Sequence, residues 1–236
     1  MENLKKAFDT MNIPYDDELI EKFRLYMEGV LEWNEKVNLT AITDRDEFIK
    51  KHFIDSVMCY NFEEVQKSET VIDVGTGGGF PGIPLALVFP NKKFVLMDSL
   101  NKRLKIIDEL ADKIGINNVT TLHGRAEDLG RTKEYREKYD LCVSRAVANL
   151  ATLSEYCLPF ISMGGKFLAY KAVKAEEELK DAKSAIFLLG GKVHREEKVA
   201  LPDFELEHNI IIIDKVQNTS SKYPRKAGMP SKQPLK

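Results

Sequence analysis

The segment Asp73-Val74-Gly75-Thr76-Gly77-Gly78-Gly79-Phe80-Pro81-Gly82 leaves an apolar run and enters a helical stretch. A strand that ends on repeated glycine constrains this chain more than any other feature. The backbone must turn sharply there and come within contact distance of a ligand that a Cβ would block. Around the loop, short runs rich in Val and Ile alternate with helix-length segments, the rhythm of βαβ units and a parallel sheet. The expected strands are TVIDVG (Thr70 to Gly75), KFVLMD (Lys93 to Asp98), NVTTLHG (Asn118 to Gly124), YDLCVSR (Tyr139 to Arg145) and KFLAYKA (Lys166 to Ala172). Helices are expected from Asn101 to a terminating Gly115, from Leu150 to Phe160 before a Gly164-Gly165 turn, and from Ala175 to Leu189. KVHREEKVALP and HNIIIIDKV follow with no helix-length spacer between them, so they should pair as an antiparallel hairpin. The fold class is therefore α/β, a doubly wound, mostly parallel, seven-stranded Rossmann-like sheet with one reversed strand.

Upstream of the sheet the chain reads as helical. After Pro14 the Asp16-Asp17 pair offers an N-cap, and Leu19, Phe23, Met27, Val30 and Leu31 recur at three- and four-residue steps. A second stretch, Asp46 to Val57, places Phe48, Ile49, Phe53 and Val57 on one side, with a polar hinge from Asn38 to Asp44 between the two. The expected organisation is a helical N-terminal extension over 1–66, a ligand-binding sheet domain over 67–217 and a basic tail over 218–236. From Lys215 to Lys236 there are six Lys or Arg and no Asp or Glu, a patch suited to phosphates that the net charge of -2 conceals. Its Lys/Pro/Ser-rich portion from Ser220 reads as mobile.

No run of eighteen apolar residues and no signal-peptide pattern occurs, which points to a cytoplasmic protein with no membrane partner. Cys59, Cys142 and Cys157 are odd in number and widely spaced, so buried thiols are expected rather than a metal or redox site.

The glycine loop by itself admits two readings. Gly77, Gly79 and Gly82 satisfy G-x-G-x-x-G, the dinucleotide fingerprint, whereas Asp73 two residues before Gly75 gives the D-x-G-x-G-x-G of methyltransferases. Asp98, closing the second strand, can bind the ribose hydroxyls of either cofactor. Pro81 and Pro84 remove N–H donors from the helix start that a pyrophosphate would need, which disfavours an NAD(P)-dependent oxidoreductase. A non-catalytic nucleotide-binding regulatory module is the other alternative.

A longer set of segments makes the resemblance specific. NEKVNLTAITD (Asn34 to Asp44), KHFIDS (Lys51 to Ser56), DVGTGGGFPGIPLA (Asp73 to Ala86), MDSLNKR (Met97 to Arg103), GRAED (Gly124 to Asp128), SRAVANL (Ser144 to Leu150) and YPRKAGMPSKQPL (Tyr223 to Leu235) occur in order along nearly the whole chain. In this the chain resembles the RsmG family, also called glucose-inhibited division protein B. The resemblance implies a class I S-adenosylmethionine-dependent methyltransferase that modifies N7 of a guanine in bacterial 16S rRNA. It also implies cofactor contacts at Gly75, Phe80, Ala126, Glu127 and Arg145. Gly77, for close backbone approach, and Asp98, for the ribose, join them on physical grounds, and Gly77→Val should leave the fold intact while blocking the cofactor. Guanine N7 carries an in-plane lone pair and no proton, so positioning suffices and no dedicated acid or base is expected. Candidate substrate contacts are His52 and Asp55, one helical turn apart, Arg125, and Lys222, Arg225 and Lys226 around Tyr223 in the tail. The rRNA is expected as partner within the small ribosomal subunit, the protein as a monomer, and loss of the tail should spare the cofactor.

Overall fold

The computed structural model describes residues 1–145, 148–171 and 175–236. Ala146 and Val147 of the SRAVANL segment, and Ala172 at the expected end of the fifth strand, lie outside them.

Seven strands form one sheet: β1 (Thr70–Val74), β2 (Lys93–Asp98), β3 (Val119–His123), β4 (Tyr139–Arg145), β5 (Ile161–Lys171), β6 (Gly191–Leu201) and β7 (Leu206–Lys215), in the order β3-β2-β1-β4-β5-β7-β6. Strands β1 to β5 pair in parallel, and β7 runs antiparallel to both β5 and β6. The reversed strand of the expected hairpin is thus slotted between β5 and β6. Strand order reverses at β1, which opens a crevice beyond the carboxyl ends of β1, β2 and β4.

The helices are α1 (Glu2–Met11), α2 (Asp17–Asn34), α3 (Arg45–Phe48), a π-helical stretch Ile49–Ile54 continuing into α4 (Asp55–Val57), α5 (Glu63–Lys67), α6 (Gly82–Val88), α7 (Asn101–Ile114), α8 (Ala126–Leu129), α9 (Leu150–Cys157), α10 (Ala175–Leu188) and α11 (Met229–Lys232). Local chemistry sets several boundaries where the sequence places them. The Asp16 carboxylate accepts from Leu19 N at 2.8 Å and caps α2, and Gly115 at φ 75° ends α7 while Ile116 N returns to the Ala111 carbonyl. Two boundaries differ. Helix α1 precedes the first helix expected from the sequence, and β5 begins at Ile161, so Gly164-Gly165 makes no turn between elements. It forms an irregularity inside β5, where pairing with β4 jumps from Tyr139↔Ile161 to Leu141↔Lys166.

The two faces of the sheet are covered by different parts of the chain. Val71, Phe94, Leu141, Leu168 and Ile212 pack against α1, α2, the helical passage 45–57, α6 and α7. Ile72, Val74, Cys142, Phe167 and Ile211 pack against α9 and α10. Leu4, Phe8, Phe23, Phe48 and Phe53 are completely buried in the first layer, so the N-terminal helices share one core with the sheet. All three cysteines are buried and free.

The tail is docked against the second layer, contrary to the mobile end expected from its composition. The Arg136 guanidinium donates to the carbonyls of Gly130, Thr219, Ser220 and Tyr223, and Arg131 to those of Pro224 and Lys222. Buried Lys215 donates to the Leu158 carbonyl and to Thr219 Oγ1. Chain carbonyls spaced along 219–224 thus find fixed cationic donors, which low apolar content alone did not foretell.

Candidate active site

A cleft of about 620 Å³ lies beyond the carboxyl ends of β1, β2 and β4, within the size range of small-molecule sites. Its floor is the glycine loop. Gly75 N and Thr76 N donate to the Met97 carbonyl, and Gly77 N donates to Asp98 Oδ2 at 2.9 Å, so the loop hangs on β2. Asp73 works beneath it: Oδ2 accepts from Thr76 Oγ1 at 2.7 Å and from Gly82 N at 2.8 Å. Burial pushes its carboxyl up to about 7, with these two bonds opposing the shift. Asp73 is therefore a structural residue of the loop.

The glycines do different jobs. At Gly77, φ is +59° and a Cβ would meet nothing within 4 Å, because it would project into the cleft. Gly79, at φ +91°, admits no Cβ, which would fall 2.2 Å from the Tyr26 hydroxyl. That hydroxyl donates to the Gly78 carbonyl at 2.9 Å and rivets α2 to the loop. Of these two glycines, Gly77 is the one that leaves room for a ligand. Its positive φ also amends the expectation for Gly77→Val, since a left-handed backbone carries a strain on the order of 1–2 kcal/mol in an L-residue.

The first turn of α6 has no donor left for a pyrophosphate. Pro81 and Pro84 lack N–H groups, Gly82 N is held by Asp73, and Ile83 N and Leu85 N bond to the carbonyls of Gly79 and Pro81. The start of α6 therefore offers a pyrophosphate no anion site. Asp98, only 6% exposed, spends two acceptor sites on Gly77 N and Leu100 N and keeps two of a carboxylate's roughly four for ribose hydroxyls. This lining could hold S-adenosylmethionine: Gly75 and Gly77 would meet its amino-acid end, Asp98 its sugar, and Ala126 with Leu100 the rest of the nucleoside. The Tyr170-x-x-x-Lys174 spacing of an oxidoreductase supports nothing here. Tyr170 lies buried in β5, donating to the Ser56 carbonyl, and Lys174 lies outside the described residues.

The roof of the cleft comes from the N-terminal helices. His52 stacks on Phe80 at 4.3 Å between centroids and 9° between planes, and the Arg145 guanidinium, from the end of β4, lies 5.7 Å from the centroid of the same ring. Arg145 donates to Asp55 Oδ2, to the Lys51 carbonyl and, at 3.2 Å, to His52 Nδ1. Burial first, and the Arg145 charge second, lower His52 to about 3. His52 is neutral at physiological pH.

The expected site residues thus separate. Gly75, Gly77, Phe80, Asp98, Ala126, Glu127 and Arg145 all line the cleft, together with His52 and Arg125. Asp55 does not: it is 2% exposed and occupied by Arg145, with His208 Nδ1 3.1 Å from its second oxygen. A buried carboxylate beside a guanidinium holds that cation in place and offers nothing to a substrate. Arg225 is likewise withdrawn, bound through two nitrogens to buried Glu155, with a closest contact of 2.7 Å. Lys222 and Lys226 remain exposed.

Sequence reasoning missed several wall residues. Gly228 and Ser231 of the tail, and Tyr156 of α9, line the cleft, and Gly228 N donates to Glu127 Oε1 at 2.8 Å. No local pattern could place a segment one hundred residues away against α8. The available signal was the resemblance itself, whose segments Asn34–Asp44 and Tyr223–Leu235 contain Leu39, Gly228 and Ser231. Asn34 Oδ1 accepts from Leu39 N and Thr40 N, and Thr40 Oγ1 from Ile42 N, which folds the first of these segments into a fixed loop at the cleft rim.

This strand order, with a glycine loop after β1 and an acid closing β2, defines a class I methyltransferase. Solved structures similar to it agree on the fold. An O-methyltransferase from Bacillus cereus in complex with SAH aligns with a TM-score of 0.58 at 17% identity, over 89% of this chain and 96% of that one. The apo form of the S-adenosylmethionine-dependent methyltransferase SibL aligns at 0.54 and 14% identity, over 69% and 55%. A family model described as rRNA small subunit methyltransferase G matches residues 19–206. The protein called ribosomal RNA small subunit methyltransferase G in Clostridium novyi is 49% identical over 232 residues, 98% of this chain and 96% of its own. That of Clostridium perfringens strain 13 is 47% identical over 99% and 98%. The chain belongs to the rRNA small subunit methyltransferase G family, and its methyl donor is S-adenosylmethionine.

Proposed function

We infer that this protein transfers the methyl group of S-adenosylmethionine to N7 of a guanine in bacterial 16S rRNA, as a cytoplasmic monomer acting on the small ribosomal subunit. The family membership carries the reading, and the cleft's chemistry supports the atom chosen. Bound on the glycine loop, the sulfonium supplies an electrophilic methyl whose bonding electrons return to sulfur. The chain's own work is then to orient the base and exclude water. N7 attacks with its lone pair and loses no proton, so neutral His52 has no proton to take. The methylated base gains positive charge, and its surroundings tolerate that gain. Arg145 is neutralised by Asp55, and Phe80 presents an aromatic ring rather than a cation.

Arg125, exposed at the cleft, and Lys222 and Lys226, exposed on the docked tail, are the groups we assign to phosphates of the rRNA. Among the described residues no helix is long and apolar enough to cross a membrane. The test is incubation of the protein with labelled S-adenosylmethionine and unmethylated small subunits, followed by digestion to nucleosides. Label should appear in 7-methylguanosine; label in any other nucleoside, or none in RNA, overturns the assignment.

A further inference from the structure

The bonds around His52 determine which way each proton points, and that in turn gives one side chain at the cleft rim a fixed hydrogen-bonding sense. A guanidinium nitrogen can only donate, so His52 Nδ1, 3.2 Å from Arg145 Nη2, must be the bare nitrogen. The proton of the neutral ring therefore sits on Nε2. That atom lies 2.7 Å from Thr40 Oγ1 and donates to it. Thr40 Oγ1 also accepts from Ile42 N at 3.0 Å. Both lone pairs of the hydroxyl are then occupied, and all it has left to offer is its own proton. Thr40 is half-buried, follows Leu39 and is hydrogen-bonded to His52, two residues that line the cleft.

We propose that Thr40 is a specificity-determining and positioning residue that donates its hydroxyl proton to O6 of the target guanine. The inference rests on the guanine-N7 reading above. On the edge of the base that carries N7, guanine presents the acceptor O6 beside it, whereas adenine presents an N6 amine donor at the same place. A hydroxyl with no free lone pair meets the first with a hydrogen bond and the second with an unpaired donor against a donor. A site built in this way rejects the wrong partner strongly, because mismatched polar groups are left unsatisfied on closure. The sequence Arg145 to His52 to Thr40 is what removes the hydroxyl's freedom to turn round and accept.

The experiment compares small subunits reconstituted with 16S rRNA carrying either guanine or 2,6-diaminopurine at the modified position. The second base keeps N7 and replaces O6 by an amine. Wild-type protein should prefer guanine by at least about tenfold in kcat/KM. Thr40→Val, which keeps the shape and removes the proton, should bring that ratio to within about threefold of unity, and Thr40→Ser should restore it. S-Adenosylhomocysteine affinity should stay within about twofold of wild type in Thr40→Ser.

A purely structural Thr40 would lower both rates together and leave the ratio unchanged in Thr40→Val, and that result overturns the proposal. Thr40→Ala serves as the second proton-less variant should valine unfold the loop, with the same ratio deciding. If wild-type protein labels no guanine at all, the guanine-N7 reading fails first. Guanine labelled by the wild type with an unchanged ratio in the variants removes the Thr40 role alone.

Discussion

The two walls of the cleft outside the sheet are built on opposite principles. The N-terminal wall is held by aromatic burial: Phe8, Phe23, Phe48 and Phe53 are fully buried and meet edge to face, with Phe23 and Phe53 centroids 4.9 Å apart. The C-terminal wall is held by charge-assisted hydrogen bonds to main chain, through Arg131, Arg136, Lys215 and the Arg225–Glu155 pair. Net charge follows the same division. Residues 1–66 hold 15 Asp or Glu against 8 Lys or Arg, whereas the segment from Lys215 onward holds six Lys or Arg and no acid. An acidic cap is ill suited to lie on a phosphate backbone, whereas the charge of the tail suits it to one. A wall made by burial is hard to remove without unfolding, and one made by hydrogen bonds can be detached.

That contrast is open to attack from both sides. Phe23→Ala should cost about 3–5 kcal/mol of stability, read from chemical denaturation. A loss below about 1 kcal/mol would show that the cap is not part of the core. Deleting 218–236 should instead leave a cooperatively folded protein whose S-adenosylhomocysteine affinity falls by about 10- to 100-fold, since Gly228 and Ser231 leave the cleft and Glu127 loses its partner. Unchanged affinity by calorimetry would return the tail to the independent basic extension that its composition suggests.

Next in size is a pH effect on the cap. His52 is held near 3 in the folded chain and titrates near 6.5 when unfolded, so between those values the unfolded state binds more protons. Its stabilisation is complete above about pH 6.5 and declines as pH falls below it. The penalty of His52→Gln should therefore be smaller at pH 5 than at pH 7.5 by about 2 kcal/mol. Asp73, raised to about 7, contributes with the opposite sign, but it is common to both proteins and cancels in the difference. A pH-independent penalty would mean that His52 binds its proton equally well in the folded and unfolded states. Smallest of all, Lys222→Ala with Lys226→Ala should weaken binding to the small subunit by a few-fold and reduce the log–log salt slope by about 1.4, with cofactor affinity intact. An identical slope would take both lysines out of the RNA interface.

Most of the architecture was legible in the sequence, and for local reasons. Alternation of apolar runs gave the strands of the sheet, Asp16 and Gly115 marked helix ends through bonds to residues three to five positions away, and the prolines at 81 and 84 announced a helix start without donors. The floor of the cleft was legible too, because Gly75, Gly77 and Asp98 sit at strand ends whose spacing reports their place. The roles of charged side chains were not. Asp55 and Arg225 look in sequence like free groups near the substrate, and in the fold each is consumed by a partner, 90 residues away for Asp55 and 70 for Arg225.

The sequence by itself determined the sheet, the turn that bares the main chain at Gly77, and the acidic character of one end against the basic character of the other. Only the tertiary structure decided that the tail closes the cleft against Glu127 and that Arg145 dictates the proton on His52. Backbone conformation and apolar patterning are set by neighbours within a few residues. The sense of a hydrogen bond belongs to whichever donor and acceptor the completed fold brings face to face.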